Sequence, residues 1–87
     1  MKALHLRDSS LDWVEAGGEI VALDHDRAVY LNANTTGALL WQRLLAGATR
    51  NELVNELTDR FEIEAEQAGR DVDAFLGQLD RAGLLAD

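Results

Sequence analysis

The first third of the chain consists of short stretches rich in apolar β-formers, separated by glycine and polar turn residues, which is typical of β-strands. This pattern predicts strands over residues 11–15 and 19–23, and the adjacent Gly17 and Gly18 between them permit the positive φ angles of a tight hairpin turn. A second turn is predicted over residues 24–26, and residues 3–6 form a shorter strand or an ordered arm.

The β-formers of residues 27–32 predict a third strand of the same sheet. Period-two alternation places Val29 and Leu31 on one face of this strand and Ala28 and Tyr30 on the other. In a three-stranded meander the last strand is an edge, so one row of its backbone N–H and C=O groups has no partner. We therefore hypothesise that an extended peptide from another protein adds to this edge as an extra strand, with the C-terminal helix as the second wall.

After Asn32 the apolar period changes to about 3.6, which indicates helices. Residues 34–36 offer N-cap side chains, and Gly47 is a natural end for the first helix. Its buried face is predicted to consist of Leu40, Trp41, Leu44 and Leu45.

Thr49 and Glu52 have the Thr-x-x-Glu spacing of a capping box, which predicts the start of a second helix. A third helix is predicted over residues 65–82, where acidic residues near the N-terminus suit the helix dipole and Gly83 is a natural stop. The apolar stripe of this third helix is Ala68, Val72, Phe75, Leu76, Leu79 and Ala82. The whole pattern predicts one α+β domain over residues 1–87, winged helix-turn-helix-like, with a three-stranded antiparallel sheet followed by three helices.

Composition argues against several functions. With no cysteine among its 87 residues, the chain has no thiol nucleophile, no disulfide framework and no thiolate ligands for a metal cluster. His5 and His25 are the only histidines, and the turn around His25 is better explained as a hairpin than as a metal site. No nucleophile–base pair or phosphate-binding loop can be assembled, so the sequence predicts neither an enzyme nor a cofactor.

The net charge of −8 opposes binding to nucleic acids, because such binding depends on Lys and Arg. The same charge suits a basic partner peptide, although solubility alone would also explain it. No apolar run is long enough for a signal peptide or a membrane span, so we predict a cytoplasmic protein.

Three segments together resemble the PqqD family: residues 28–41 (AVYLNANTTGALLW), the helix junction over residues 44–49, and the ending over residues 70–85. The likeness covers residues 19–85. One departure is the spacing between Asn32 and Gly37, which is a residue or two longer than in the family's usual pattern and leaves Asn32 and Asn34 as alternative starts of the first helix.

The resemblance implies that this protein recognises ribosomally made, post-translationally modified peptides. In that family a leader peptide lies as an antiparallel strand along the third strand, and the third helix closes the groove. Carried onto this sequence, the backbone of the third strand supplies the ladder bonds, through Ala28, Val29, Tyr30 and Leu31. Side-chain contacts would come from the third helix, through Asp71, Val72, Phe75 and Leu76.

Each of these side chains also has a simpler interpretation. Phe75 and Leu76 can serve the core, and Tyr30 is either a pocket wall or a packed aromatic on a strand. Asp71 and Asp73 can meet a basic residue or an amide of the leader, or remain solvated.

The likeness is greatest to stand-alone leader-binding partners of lasso-peptide proteases, so the predicted partners are a precursor leader peptide and a separate processing enzyme. Two alternatives remain at this point. One is a winged-helix DNA-binding regulator, and the other is an adaptor that holds an enzyme without a peptide groove.

Overall fold

The computed structural model describes residues 3–7, 11–25 and 29–86. In chain order the elements are β1 (His5–Leu6), β2 (Leu11–Ala16), β3 (Glu19–Asp24), β4 (Val29–Ala33), α1 (Thr35–Ala46), α2 (Arg50–Arg60), α3 (Ala65–Arg81) and β5 (Leu85–Ala86). The predicted α+β fold, a three-stranded sheet followed by three helices, is confirmed.

The three-stranded sheet is an antiparallel meander in the order β2-β3-β4. Gly17 and Gly18 form the turn between β2 and β3 with φ angles of 62° and 81°, the two positive values that a type I′ hairpin requires. At the other end, β4 pairs only with β3 among the described strands, so it is an edge, as the sequence predicts.

α1 packs against one face of this sheet, and α2 and α3 complete the core. Every second residue of β3 and β4 points into this core, including Ile20, Ala22 and Leu31. Trp41 of α1 is fully buried, and its ring meets Trp13 of β2 edge to face with centroids 6.0 Å apart. The opposite face of the sheet leaves Val14, Leu23 and Tyr30 exposed.

The caps of the first two helices follow the local sequence closely. Asn34 begins α1, because its side chain accepts a hydrogen bond from the Gly37 N–H at 2.9 Å. This bond decides between the two asparagines that the sequence leaves as alternatives. The capping box of α2 is complete, with Thr49 and Glu52 each accepting from the other's backbone N–H.

The two ends of the described chain pair with each other, which the sequence pattern does not predict. β1 and β5 form an antiparallel pair in which His5 lies opposite Ala86 and Leu6 opposite Leu85. Next to them, Leu4 and Ala48 exchange backbone hydrogen bonds of 2.8 and 3.0 Å. These contacts fasten the N-terminal segment to the helical layer and leave the edge of β4 uncovered by it.

Candidate functional site: an edge strand facing the third helix

The free edge of β4 can be assigned residue by residue from the register of the sheet. In a two-residue hairpin the residues flanking the turn form a hydrogen-bonded pair, and hydrogen-bonded and non-hydrogen-bonded pairs alternate from there. Since Ala16 lies opposite Glu19, the even-numbered residues of β3 turn their backbone groups toward β4.

Ala22 is paired with Leu31 and Ile20 with Ala33, so these β4 residues bond to β3. The backbone N–H and C=O groups of Tyr30 and Asn32 therefore point to the free edge. This differs from the expectation from the sequence, in which Val29 and Leu31 also supply ladder bonds, because their backbone groups already serve β3. Ala28 lies outside the described residues.

A pocket of about 300 Å³ lies where β4 ends, between the start of α1 and one face of α3. Its walls combine small and apolar residues with polar side chains at the end of β4 and along α3. The lining residues are Asn32, Ala33, Asn34, Thr36, Gly37, Leu40, Asp71, Ala74, Phe75 and Gln78.

Gly37 shapes this pocket by allowing α1 to approach both β4 and α3. A Cβ atom at this position would lie 3.0 Å from Cε1 of Phe75 and 3.2 Å from the Cβ of Ala33. The absence of a side chain therefore lets the Phe75 ring rest between α1 and the end of β4, where its remaining exposed edge forms part of the pocket wall.

The residues predicted on α3 point in three different directions. Asp71 and Phe75 line the pocket, so the structure brings these two together with β4. Val72 has no exposed surface and belongs to the core. Leu76 packs against the core as a partly buried residue and is not part of the pocket lining.

Asp73 lies on the side of α3 that faces α2. Its carboxylate accepts two hydrogen bonds from the Arg50 guanidinium, one from Nε to Oδ1 at 2.7 Å and one from Nη2 to Oδ2 at 2.9 Å. Two residues along a helix correspond to a rotation of about 200°, which explains why Asp71 and Asp73 face opposite ways.

Several pocket residues are absent from the sequence-based site. Ala74 and Gln78 share the face of Asp71 and Phe75 at helical spacing, and a search for a mixed polar and small-residue face on α3 would have found them. Asn32 and Asn34 enter the sequence argument only as alternative helix caps, although both also line the pocket.

The Arg50–Asp73 pair gives a testable pH dependence. The hydrogen bonds and charge of Arg50 hold the pKa of the Asp73 carboxyl below its ordinary value of 3.8. Because the folded pKa is the lower one, the pair stabilises the fold at neutral pH and this contribution disappears as the pH falls through the folded pKa. We expect Asp73→Asn to lower the urea midpoint slightly at pH 7 and to approach wild type as the pH falls through the folded pKa of Asp73.

A urea series across that pH range measures this difference directly. Protonation of the other carboxyls at acid pH destabilises both proteins. Only the difference between their urea midpoints therefore reports on Asp73. A gap that stays constant at acid pH would contradict the assignment.

The described residues contain no group of three or more His, Cys, Asp or Glu side chains placed to hold a metal ion. None of the helices in the same part of the chain is long and apolar enough to cross a membrane.

An edge strand that faces a helix across a small pocket defines the class of this protein, a winged helix-turn-helix-like α+β domain with one side of its sheet available for pairing. A family model described as coenzyme PQQ synthesis protein D (PqqD) matches residues 19–85, and the chain belongs to the PqqD family. The resemblance noted in the sequence is thereby confirmed.

Two solved structures are similar over nearly the whole chain. One is a lasso peptide synthetase B1 complexed with the leader peptide, with 30% identity, a TM-score of 0.82, and coverage of 97% of this chain and 98% of that chain. The other is TbiB1 in complex with the TbiA(beta) leader peptide, with 23% identity, a TM-score of 0.84, and coverage of 95% and 99%. The second likeness supports the fold alone. No curated protein matches this chain.

Proposed function

We propose that this protein binds the leader segment of a ribosomally made precursor peptide by strand addition to β4 and presents it to a separate processing enzyme. The observation that carries the proposal is the outward direction of the Tyr30 and Asn32 backbone groups beside a pocket closed by α3. Main-chain pairing supplies affinity in this mode of recognition, and pockets for alternate side chains supply specificity. The similar B1 protein complexed with its leader peptide supports the same role here.

Strand addition also determines which leader side chains enter the groove. Residues directly opposite each other in an antiparallel pair point to the same face of the sheet. Leader residues opposite Leu31 and Ala33 therefore point inward, while a residue opposite Tyr30 points to the exposed face. Leader recognition should consequently depend on alternate positions.

The protein has no catalytic role in this proposal. It raises the effective concentration of the precursor at a partner enzyme, which we take to be a lasso-peptide leader peptidase. The lining of the pocket supports this division of labour, because it offers one carboxylate, two asparagines and a glutamine but no histidine and no nucleophile–base pair.

The charges around α3 weigh against DNA binding. Glu62, Glu64 and Glu66 precede or begin this helix, and Arg70, which lies close behind them, is paired with Glu66 at 2.9 Å. A helix that binds DNA needs unpaired Lys or Arg side chains facing the phosphates. The negative charge of this surface is therefore unfavourable for DNA binding.

An NMR titration of the ¹⁵N-labelled protein with the leader of a precursor encoded beside its gene tests the proposal. We expect shifts concentrated at Tyr30 and Asn32 on β4 and at Asp71, Phe75 and Gln78 on α3. Residues of the α2–α3 contact, such as Arg50, serve as the internal control and should move little. The absence of shifts with any neighbouring precursor, in a protein that still recruits its enzyme, would favour the adaptor.

A further inference from the structure

The pocket at the end of β4 is lined by both apolar and polar groups. Ala33, Ala74 and the edge of Phe75 provide apolar surface, whereas Asn32, Asn34, Thr36 and Gln78 bring hydrogen-bonding groups. A side chain with a long apolar stem and a polar tip fits such a lining, because the stem stays on the apolar wall and the tip keeps its hydrogen bonds.

Asp71 is the one charged residue in this lining. The Gln67 side chain donates a hydrogen bond of 2.8 Å to its Oδ1, which leaves further acceptor positions on the carboxylate. Arg70 and Arg50 are engaged elsewhere, since Arg70 contacts Glu66 and Gln67 and Arg50 contacts Asp73. Asp71 has no ion pair with any described residue of the chain.

The register connects this carboxylate to one position of an added strand. Ala33 lines the pocket, and the peptide residue opposite Ala33 points to the same face. A long side chain at that peptide position is directed toward the pocket and Asp71, while its neighbours on either side point to the other face of the sheet.

We propose that Asp71 makes this protein selective for leaders that carry lysine or arginine opposite Ala33. The inference rests on the proposed function and deepens it by naming a chemical requirement of the leader. The aliphatic stem of the cation lies along Phe75 and Ala74, and its charged tip bonds to the Asp71 carboxylate, with side-chain oxygens of the pocket lining as further acceptors. A neutral tip such as a tyrosine hydroxyl can also bond to the carboxylate, but it offers a single donor and lacks the attraction between opposite charges.

The test is a selection from a display library of random 12-residue linear peptides against three proteins: wild type, Asp71→Asn and Asp73→Asn. The two variants make the same chemical change two positions apart on opposite sides of α3. We expect wild type and Asp73→Asn to enrich peptides with lysine or arginine at one fixed position, and Asp71→Asn to lose that preference. Circular dichroism melts establish that all three proteins are folded.

An enriched peptide then allows the two charges to be neutralised one at a time and together. Its affinity should fall about 10-fold when the basic residue becomes glutamine, and this loss should be much smaller in Asp71→Asn. Binding to wild type should weaken with added salt, and binding to Asp71→Asn should depend less on salt.

Each other outcome has a distinct meaning. Peptides enriched on wild type with an aromatic or aliphatic residue at the fixed position, and retained by Asp71→Asn, would overturn the role of Asp71 and leave strand addition standing. If wild type enriches no peptide that binds at the β4 edge, the proposed function itself fails and this inference fails with it.

Discussion

Replacing Tyr30 with proline is expected to weaken leader binding by at least about 10-fold while the domain stays folded. The Tyr30 N–H points to the free edge of β4, so proline removes a donor that the peptide needs and none that the sheet uses. The proline ring also occupies the space in which the peptide carbonyl approaches. Edge strands tolerate proline where the missing N–H faces solvent. Isothermal titration calorimetry with a leader peptide measures the loss.

Two further variants distinguish the loss of the Tyr30 N–H from the loss of the Tyr30 side chain and from unfolding of the sheet. Tyr30→Ala should bind nearly as wild type does, because the ring is 63% exposed and lies on the face away from α3. Leu31→Pro should lower the melting temperature clearly, since the Leu31 N–H bonds to β3. Full leader affinity in a folded Tyr30→Pro protein would contradict strand addition at this edge.

Much of the scaffold around that edge could be predicted from the sequence, because its signals are local. The Gly17–Gly18 pair predicts the hairpin, and the Thr49–Glu52 spacing predicts the capping box, since each depends on a few adjacent residues. The third helix is predicted to within one residue, because its apolar stripe extends over about four turns and defines its own period.

The pairing of the two chain ends could not be predicted in this way. β5 has two residues, Leu85 and Ala86, and a segment of that length cannot show a period. Its partner β1 and the bridge between Leu4 and Ala48 depend on contacts between residues far apart in sequence. Local propensity contains no information on such contacts.

The candidate site could be predicted from the sequence at the level of elements, whereas the side chains that line its pocket could be predicted only in part. The sequence indicates that β4 and α3 form the groove, yet the apolar stripe of α3 does not separate pocket wall from core. The burial of each side chain separates pocket wall from core: Phe75 keeps an exposed edge that lines the pocket, whereas Val72 is fully buried. Asp71 and Asp73 look equivalent in the sequence and differ because only one of them meets Arg50.

The burial of Val72 leads to the second large effect, which is the loss of the fold in Val72→Arg. Its side chain has no exposed surface and packs within the core. An unpaired charge at such a position costs several kcal/mol even after relaxation, and a domain of this size has only about 5–10 kcal/mol of stability. We expect poor dispersion of the amide signals in NMR and no cooperative thermal transition.

Ala74→Arg is the matched variant, because it places the same side chain two residues away at an exposed position in the pocket wall. This protein should keep its melting temperature within a few degrees and lose leader binding, since the arginine side chain fills much of a pocket of about 300 Å³. The pair therefore separates a core position from a groove position on one helix. A folded Val72→Arg protein with impaired leader binding would place Val72 in the groove after all, because a charged tip can be accommodated only where it reaches solvent or the peptide.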